Sequence, residues 1–482
     1  MKIIIENLGP VRRIEFDSQK SLSLFCGING SGKTYVASVL NYVLRLHDLP
    51  DSPTVIRLCE SFERDPGHCE VSPTDFRAFL KEYAQYLSSE RVLGTIFALH
   101  PAEVAAKFPD FVLSFDFDEH DFPQIWTKSA LNRAFRTPNL TIKLGKTSGE
   151  DIVRYELVPL QAPFSDKPQS IIPDTELLKR IFRSSLSSML VETIIRPCRR
   201  SRMLTVERNS VYTFVTELTL NRSRVLEQSS YIDTGDPADF IRANTSAYPF
   251  ALTEALDIAR SLKFYRSYNG PFSELAAELE NTILEGKISI TDTGKVEFIP
   301  HSGPLNIHMA SSSVKTLSSL VIYLRCLALP GDMLIVDEPE LNLHPLFQIL
   351  LTSFFAKLIK AGLRLIISTH SPIMMREFNI IMLGTKLRNR SSTDPAAAAA
   401  YTEDSGEGAS KDQDISEDIT LNPHFCACYD FDPEDLTRLP RNASVQSLSF
   451  GPGGFVISNI EKVENYRKLE YNKLKGESLP DC

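Results

Sequence analysis

The sequence predicts an α/β protein with a mixed or parallel central sheet and a glycine-rich loop at the edge of that sheet. Three segments of the 482-residue chain support this prediction. A glycine-rich loop at 27–34 lies between an apolar strand and a helix whose apolar residues recur at helical spacing. Two largely apolar runs far downstream, at 333–336 and 363–369, are typical of strands buried in a parallel sheet.

The loop at 27–34 fits the pattern G-x-x-x-x-G-K-[ST]. Backbone N–H groups of such a loop surround a β-phosphate, and the N-terminus of the next helix adds a favourable partial charge. Lys33 is expected to contact the β- and γ-phosphates, and Thr34 to hold Mg²⁺. A bare glycine turn is the alternative, but the position between strand and helix favours a phosphate site. The expected nucleotide-binding residues are Gly27, Asn29, Gly30, Ser31, Gly32, Lys33 and Thr34.

The two downstream strands each end in polar residues suited to hydrolysis. Asp337 follows the run at 333–336 and is expected to orient the magnesium shell, while Glu338 is placed to polarise the attacking water. His370 follows the run at 363–369, at the same edge of the sheet, where it can hydrogen-bond a γ-phosphate. The candidate catalytic residues are Glu338, His370 and Lys33, and the candidate metal ligands are Thr34 and Asp337.

Two short segments resemble a known family. Residues 337–345 read D-E-P-E-L-N-L-H-P and residues 368–372 read S-T-H-S-P, which is similar to the non-transporter branch of the ATP-binding-cassette (ABC) ATPases. More specifically they resemble AAA-15/AAA-21, OLD-like, RecF-like and SMC-head proteins. The resemblance implies a P-loop NTPase fold of ABC type that binds ATP and Mg²⁺ and hydrolyses ATP to ADP and phosphate. It makes Glu338 the catalytic glutamate, 341–344 the D-loop and His370 the switch histidine.

The resemblance also implies a signature motif that completes the ATP site of a second protomer. Ser311 and Ser312 occupy its place ahead of a helix expected at 316–329, but Ser313 stands where the family has glycine. A plain serine N-cap is the alternative. The expected assembly is a homodimer held by an ATP sandwich, or a higher oligomer made of such dimers.

Between these motifs the sequence predicts a large helical insertion with a small β subdomain. Alternating residues at 111–117, 140–144 and 152–158 predict an antiparallel sheet, and Ser72 to Asp75 predicts a capping box that begins a helix. Five parts are expected: 1–48, the first part of the ATPase domain; 49–285, the insertion; 286–385, the second part of the ATPase domain; 386–418, a flexible acidic loop; and 419–482, a strand and helix segment.

A group of arginines in the insertion leaves two interpretations open, contact with nucleic-acid phosphates and a solvated or partner-facing surface. The group consists of Arg196, Arg199, Arg200 and Arg202. The net charge of −9 argues against a protein coated in basic surface, although a local patch remains compatible with it. Nearby, 204–210 is similar to a P-A-E-R-[SN] element, which makes Arg208 either a nucleotide sensor or half of a surface Glu–Arg pair.

The remaining features favour a cytoplasmic protein without a membrane segment. The apolar run at the N-terminus is too short for a signal peptide, and the run at 320–329 is about half of the roughly 20 residues that a bilayer span needs. Eight scattered cysteines suit a reducing compartment.

Three interpretations of the biology stay open. The first is a prokaryotic antiphage defence ATPase that controls a separate effector protein, the second is RecF-like DNA repair or maintenance, and the third is a nucleotide-binding scaffold with little turnover. The insertion is too poor in heptads for a long coiled coil, and the chain after His370 is short for a nuclease domain of the OLD kind.

Overall fold

The computed structural model describes residues 1–47, 49–64, 68–136, 140–159, 175–196, 198–215, 247–393, 419–431 and 443–456. Residues 394–418 of the predicted acidic loop lie outside the described residues. So do 432–442 and 457–482 of the predicted C-terminal segment.

The described helices are α1 (Lys33–Val43), α2 (Pro53–Arg64), α3 (Pro73–Leu87), α4 (Glu90–Phe97), α5 (Pro101–Lys107), α6 (Thr175–Ile195), α7 (Phe250–Ser261), α8 (Ser273–Leu279), α9 (Ser312–Cys326), α10 (Pro345–Lys360) and α11 (Pro372–Thr393). The described strands are β1 (Lys2–Leu8), β2 (Val11–Asp17), β3 (Leu22–Cys26), β4 (His68–Glu70), β5 (Val112–Asp116), β6 (Leu131–Arg136), β7 (Leu140–Lys146), β8 (Ile152–Pro159), β9 (Ser201–Leu204), β10 (Gly286–Ile290), β11 (Val296–Pro300), β12 (Leu305–Asn306), β13 (Met333–Asp337), β14 (Arg364–Thr369), β15 (Cys426–Asp430), β16 (Ala443–Ser444) and β17 (Gln446–Leu448).

A six-stranded sheet in the order β17-β15-β3-β14-β13-β9 forms the centre of the fold. Its neighbouring strands pair in parallel except for β17, which is antiparallel to β15. Successive side chains of one strand enter different cores: Phe25 packs in one hydrophobic cluster, and Leu24 and Cys26 in the other. Both faces of the sheet are therefore covered, which explains the continuous apolar runs. The predicted mixed or parallel central sheet is confirmed, and it is mainly parallel.

The strand order brings distant segments to one edge of this sheet. Strand β14 lies between β3 and β13, so that three parallel strands end side by side. The glycine-rich loop follows β3, the acidic pair ends β13, and His370 follows β14. Because the carboxyl ends of parallel strands meet at one edge, this is where a ligand site is expected in an open α/β sheet.

A second sheet, in the order β16-β2-β1-β5, corrects one sequence prediction. The strand predicted at 111–117 was expected in the inserted subdomain, but β5 pairs antiparallel with β1, with Lys2 opposite Asp116. The hairpin with β2 leaves one edge of β1 open. Ile3, Ile5 and Leu113 are all buried in the same cluster, and this shared burial explains why β5 joins the N-terminal sheet.

The inserted subdomain contains a four-stranded antiparallel sheet in the order β4-β8-β7-β6, which agrees with the strands predicted at 140–144 and 152–158. Helix α3 begins with the predicted capping box. The Ser72 hydroxyl accepts a hydrogen bond from the Asp75 backbone N–H, and the Asp75 carboxylate accepts one from the Ser72 N–H. These contacts satisfy two N–H groups that the first turn otherwise leaves unpaired.

Helix α11 corrects the start of the predicted acidic loop. It continues to Thr393, so residues 386–393 are helical. Ile381 and Met382 are fully buried on this helix, and the Thr385 hydroxyl accepts a hydrogen bond from the Leu421 N–H at 3.0 Å. The chain around Leu421 therefore packs against this helix at Thr385, next to the residues that were predicted to form a loop.

Among the described helices, none combines the length and the apolar character needed to cross a bilayer.

Candidate nucleotide site

The glycine-rich loop is shaped by backbone conformations that favour glycine. Gly30 and Gly32 have φ values of +79° and +98°. A side chain on Gly32 would place its Cβ 2.6 Å from a methyl group of Val11, so this glycine is also required for close packing against the N-terminal hairpin. A Cβ on Gly30 would point into open space. The loop therefore packs against the hairpin at Gly32 and is open to solvent at Gly30.

Lys33 lies over this loop. Its side chain is buried, and Nζ donates hydrogen bonds to the carbonyl oxygens of Gly27 and Ile28, each at 2.8 Å. These contacts hold the ammonium group at the centre of the loop, where it suits phosphate oxygens as a point charge.

The two candidate metal ligands meet although 303 positions separate them in sequence. Thr34 Oγ1 donates to Asp337 Oδ2 at 2.9 Å, and the Ser368 hydroxyl donates to the other carboxylate oxygen. Burial raises the pKa of Asp337, while the hydrogen bonds from Ser368 and Thr34 lower it. A hydroxyl and a carboxylate are hard oxygen ligands, so these side chains fit Mg²⁺, which usually takes one or two protein oxygens beside substrate phosphates.

Glu338 and His370 lie beside this pair and are partly exposed. Glu338 has a φ of +46°, a left-handed conformation that is uncommon for residues with a side chain. Its carboxylate oxygen Oε1 lies 3.7 Å from His370 Nδ1, and the His370 side chain is 44% exposed. Both groups are thus within reach of solvent, as a general base and a phosphate contact require.

Arg208 is deeply buried at only 4% exposure, so the surface Glu–Arg interpretation is wrong. Its guanidinium donates to the carbonyl oxygen of Asp337 at 2.6 Å and to that of Glu338 at 2.7 Å. Burial lowers its pKa to about 10, although Asp337, Glu340 and Glu338 oppose that shift. Arg208 therefore supports the backbone of the acidic pair from behind, a role that the sequence did not indicate.

The serines of the predicted signature motif lie at the start of α9, which begins at Ser312 and not at 316 as predicted. Ser311 is the N-cap, and its hydroxyl accepts from the Val314 N–H at 3.3 Å. Ser313, in the position of the family's glycine, donates to the carbonyl oxygen of Asn342 at 2.9 Å. This hydrogen bond connects the predicted signature segment to the predicted D-loop of the same chain. Ser311 and Ser312 are exposed, and their contact with a second protomer's ATP stays a prediction.

Three of the four arginines in the predicted group line one cleft, and the fourth does not. Arg196, Arg199 and Arg200 line a cleft of about 830 Å³, together with Arg45 and Arg133. Arg202 lies outside this lining and forms an ion pair with Glu254 at 2.7 Å.

Comparison with known proteins agrees with this geometry. Residues 228–376 match the family model described as "AAA domain, putative AbiEii toxin, Type IV TA system". This stretch of the chain is similar to that AAA family. The match includes Asp337, Glu338 and His370, and it confirms the predicted AAA-21 resemblance over these residues. The loop at 27–34 precedes the matched region, and strand β3 brings it to the same sheet edge. The fold is that of an α/β P-loop NTPase.

Three solved structures similar to the chain are SMC heads. They are the SMC head bound to the C-winged helix domain of ScpA (TM-score 0.30), the SMC head domain from Thermotoga maritima (0.26), and the Smc head domain with an extended coiled coil bound to the C-terminal domain of ScpA derived from Pyrococcus furiosus (0.27). Each is 11% identical to this chain, and each match covers 78% of this chain and 90% of the other. No curated protein sequence matches the chain.

Proposed function

We propose that the protein is a cytoplasmic ATPase that binds ATP with Mg²⁺ and hydrolyses it to ADP and phosphate. One observation carries this proposal: the phosphate-binding loop, the acidic pair and the switch histidine lie at one edge of the sheet, joined by the 2.9 Å contact between Thr34 and Asp337. The AAA domain match supports the same class of activity.

The residues divide the work of phosphoryl transfer to water. Lys33 and the loop N–H groups hold the β- and γ-phosphates, and Thr34 and Asp337 hold Mg²⁺. Bound Mg²⁺ would neutralise the charge that develops on the phosphate oxygens. Glu338 orients the attacking water and accepts its proton, while His370 donates a hydrogen bond to a γ-phosphate oxygen. Catalysis is then mainly positioning and electrostatic stabilisation.

The proposal extends to an ATP-gated switch. Exposed Ser311 and Ser312 at the N-terminus of α9 are suited to contact the ATP of a second protomer, and the Ser313–Asn342 hydrogen bond would link that contact to the protomer's own D-loop. The protein would thus form a homodimer, or a higher oligomer of such dimers, that closes on ATP and opens after hydrolysis. We place this switch in prokaryotic antiphage defence, where it controls a separate effector protein. The toxin–antitoxin wording of the matched family supports that setting.

Removal of Mg²⁺ tests the proposed hydrolysis. Phosphate release is expected to stop in EDTA and to return when Mg²⁺ is added in excess. Because burial raises the pKa of Asp337, its carboxyl holds a proton at higher pH than an ordinary aspartic acid. Protons and Mg²⁺ compete for this carboxylate, so the Mg²⁺ concentration for half-maximal turnover is expected to rise as the pH is lowered. ATP binding without any Mg²⁺-dependent phosphate release would contradict hydrolysis and favour a nucleotide-binding scaffold.

The arginine-lined cleft supports a second candidate function, contact with nucleic acid of the kind that RecF-like maintenance requires. The cleft lies at the sheet edge opposite the nucleotide loop, because Arg199 and Arg200 precede β9 and Arg45 follows α1. Among the described residues, Glu192 is the only acid in the cleft lining, and it pairs with both Arg133 and Arg196. Two carboxylates outside the lining also pair with arginines of the cleft, Glu254 with Arg45 and Asp332 with Arg200. Arginine exceeds carboxylate here, which suits phosphate contacts despite the net negative chain.

Two exposed arginines provide the cleanest test of this cleft. Arg200 pairs with buried Asp332, so its replacement would leave an uncompensated carboxylate, whereas Arg196 and Arg199 are exposed. The double change Arg196→Ala/Arg199→Ala is expected to weaken DNA or RNA binding and to flatten its log K against log salt slope by about two. The matched control replaces exposed Arg12 and Arg91, which lie outside the cleft lining. An unaltered affinity and slope would return these arginines to an ordinary solvated surface.

A further inference from the structure

Glu340 has no role in the chemistry described above, yet it is one of the most highly connected side chains at the site. It lies two residues after Glu338 and is only 8% exposed. Its oxygen Oε1 accepts three hydrogen bonds, from Thr369 Oγ1 at 2.8 Å, from the His370 N–H at 2.9 Å and from the Ser371 N–H at 3.1 Å. A single carboxylate oxygen therefore fixes the backbone of the segment that carries the switch histidine.

The same oxygen also lies close to the histidine ring. His370 Nδ1 is 3.4 Å from Glu340 Oε1 and 3.7 Å from Glu338 Oε1, so this ring nitrogen faces two carboxylates. Nε2, at the far side of the ring, is then the nitrogen left to donate to a phosphate oxygen. A carboxylate beside one nitrogen of a histidine favours the tautomer and the orientation that such a donor needs.

The second carboxylate oxygen of Glu340 has no partner. Within the described part of the chain, Oε2 is buried and accepts no hydrogen bond. An unpartnered buried oxygen lowers stability, so packing alone does not account for a carboxylate at this position. Its backbone is also held in place, since the Leu341 N–H donates to the Glu338 carbonyl and the Leu343 N–H to the Glu340 carbonyl.

We propose that Glu340 is a positioning residue that connects the end of β13 to the switch segment after β14 and keeps His370 Nε2 directed at the γ-phosphate. The inference rests on the proposed ATP hydrolysis. Glu340 acts through His370 and does not touch ATP, so it contributes to kcat and leaves nucleotide binding unchanged.

The change Glu340→Gln keeps the size of the side chain and an oxygen that can accept the three hydrogen bonds, but it removes the charge. We expect kcat for phosphate release to fall about 10- to 100-fold, the range found when the partners that orient site ligands are removed, with KM and ATP affinity unchanged. The matched control, Glu274→Gln, makes the same chemical change at an exposed position on α8 and is expected to keep wild-type kinetics.

A double-mutant cycle separates positioning from an independent role. If Glu340 acts through His370, the double variant Glu340→Gln/His370→Ala has the same kcat as His370→Ala alone. Wild-type kcat in Glu340→Gln, or losses that multiply in the double variant, would overturn the inference. If Glu340→Gln lowers the melting temperature too far for kinetics, Thr369→Val removes one of the three donors instead. Its kcat loss must then disappear in the His370→Ala background, and a loss that persists there contradicts the inference.

The proposed function and this inference fail in different ways. An absence of ATP turnover in the wild-type protein would contradict the proposed function. If Lys33→Ala abolishes turnover but Glu340→Gln leaves it unchanged, the proposed ATPase function stands. That result contradicts only the role of Glu340.

Discussion

The change Glu338→Gln is expected to stop ATP turnover while ATP and Mg²⁺ binding survive. Glutamine keeps the size and hydrogen-bonding shape of glutamate, but it has no basic carboxylate to accept the proton of the attacking water. General-base catalysis is worth about 10²–10⁴ in rate, which sets the expected loss. The loop residues and Asp337, which we propose bind phosphate and metal, are untouched, so ATP affinity measured by titration calorimetry should stay near the wild-type value.

A matched control for this variant is Glu297→Gln on β11, far from the acidic pair in sequence and partly exposed. It makes the same chemical change and is expected to keep wild-type phosphate release. An enzyme with wild-type turnover after Glu338→Gln would overturn the assignment of the general base.

The change Lys33→Ala is expected to abolish nucleotide binding and to leave the fold intact. The ammonium group contributes a point charge for the phosphates, and its contacts in the protein are with loop oxygens, including the carbonyls of Gly27 and Ile28. At an ATP concentration about 100 times its Kd, bound ligand stabilises a protein by about 2.7 kcal/mol. Thermal unfolding should therefore show a rise in melting temperature with Mg²⁺-ATP for the wild type and no rise for Lys33→Ala.

The control Lys287→Ala removes an exposed lysine on β10 and should keep the full ATP-dependent rise. Unchanged ATP affinity in Lys33→Ala would remove the phosphate-loop assignment.

The core of the candidate site was predictable from sequence because each part has a strong local pattern. The glycine-rich pattern from Gly27 to Thr34 identifies a phosphate-binding loop by itself. An apolar strand that ends in Asp337 places that side chain at the carboxyl edge of the sheet. The parallel strands then bring Thr34 and Asp337 together, although no sequence pattern near either residue indicates the contact. The 2.9 Å distance between them is a consequence of sheet geometry.

Other contacts were not predictable because they depend on tertiary neighbours. Alternation showed that β5 is a strand, but not that the open edge of β1 would bind it. Arg208 and Glu340 are charged residues that sequence places on a surface by default, and only the packed structure shows them buried against backbone groups. Likewise, Arg202 was grouped with Arg199 from the sequence, but the structure leaves Arg202 outside the cleft lining, where it pairs with Glu254.

Assembly on ATP binding and its release by hydrolysis can be followed through the molar mass of Glu338→Gln protein in solution. This variant is expected to bind ATP without hydrolysing it, so an assembly that forms on ATP should persist. Multi-angle light scattering should show a mass with Mg²⁺-ATP that is twice the mass without nucleotide, or a larger multiple built from such dimers. A mass that stays the same with and without ATP, in a variant shown to bind ATP, would contradict the ATP-gated switch.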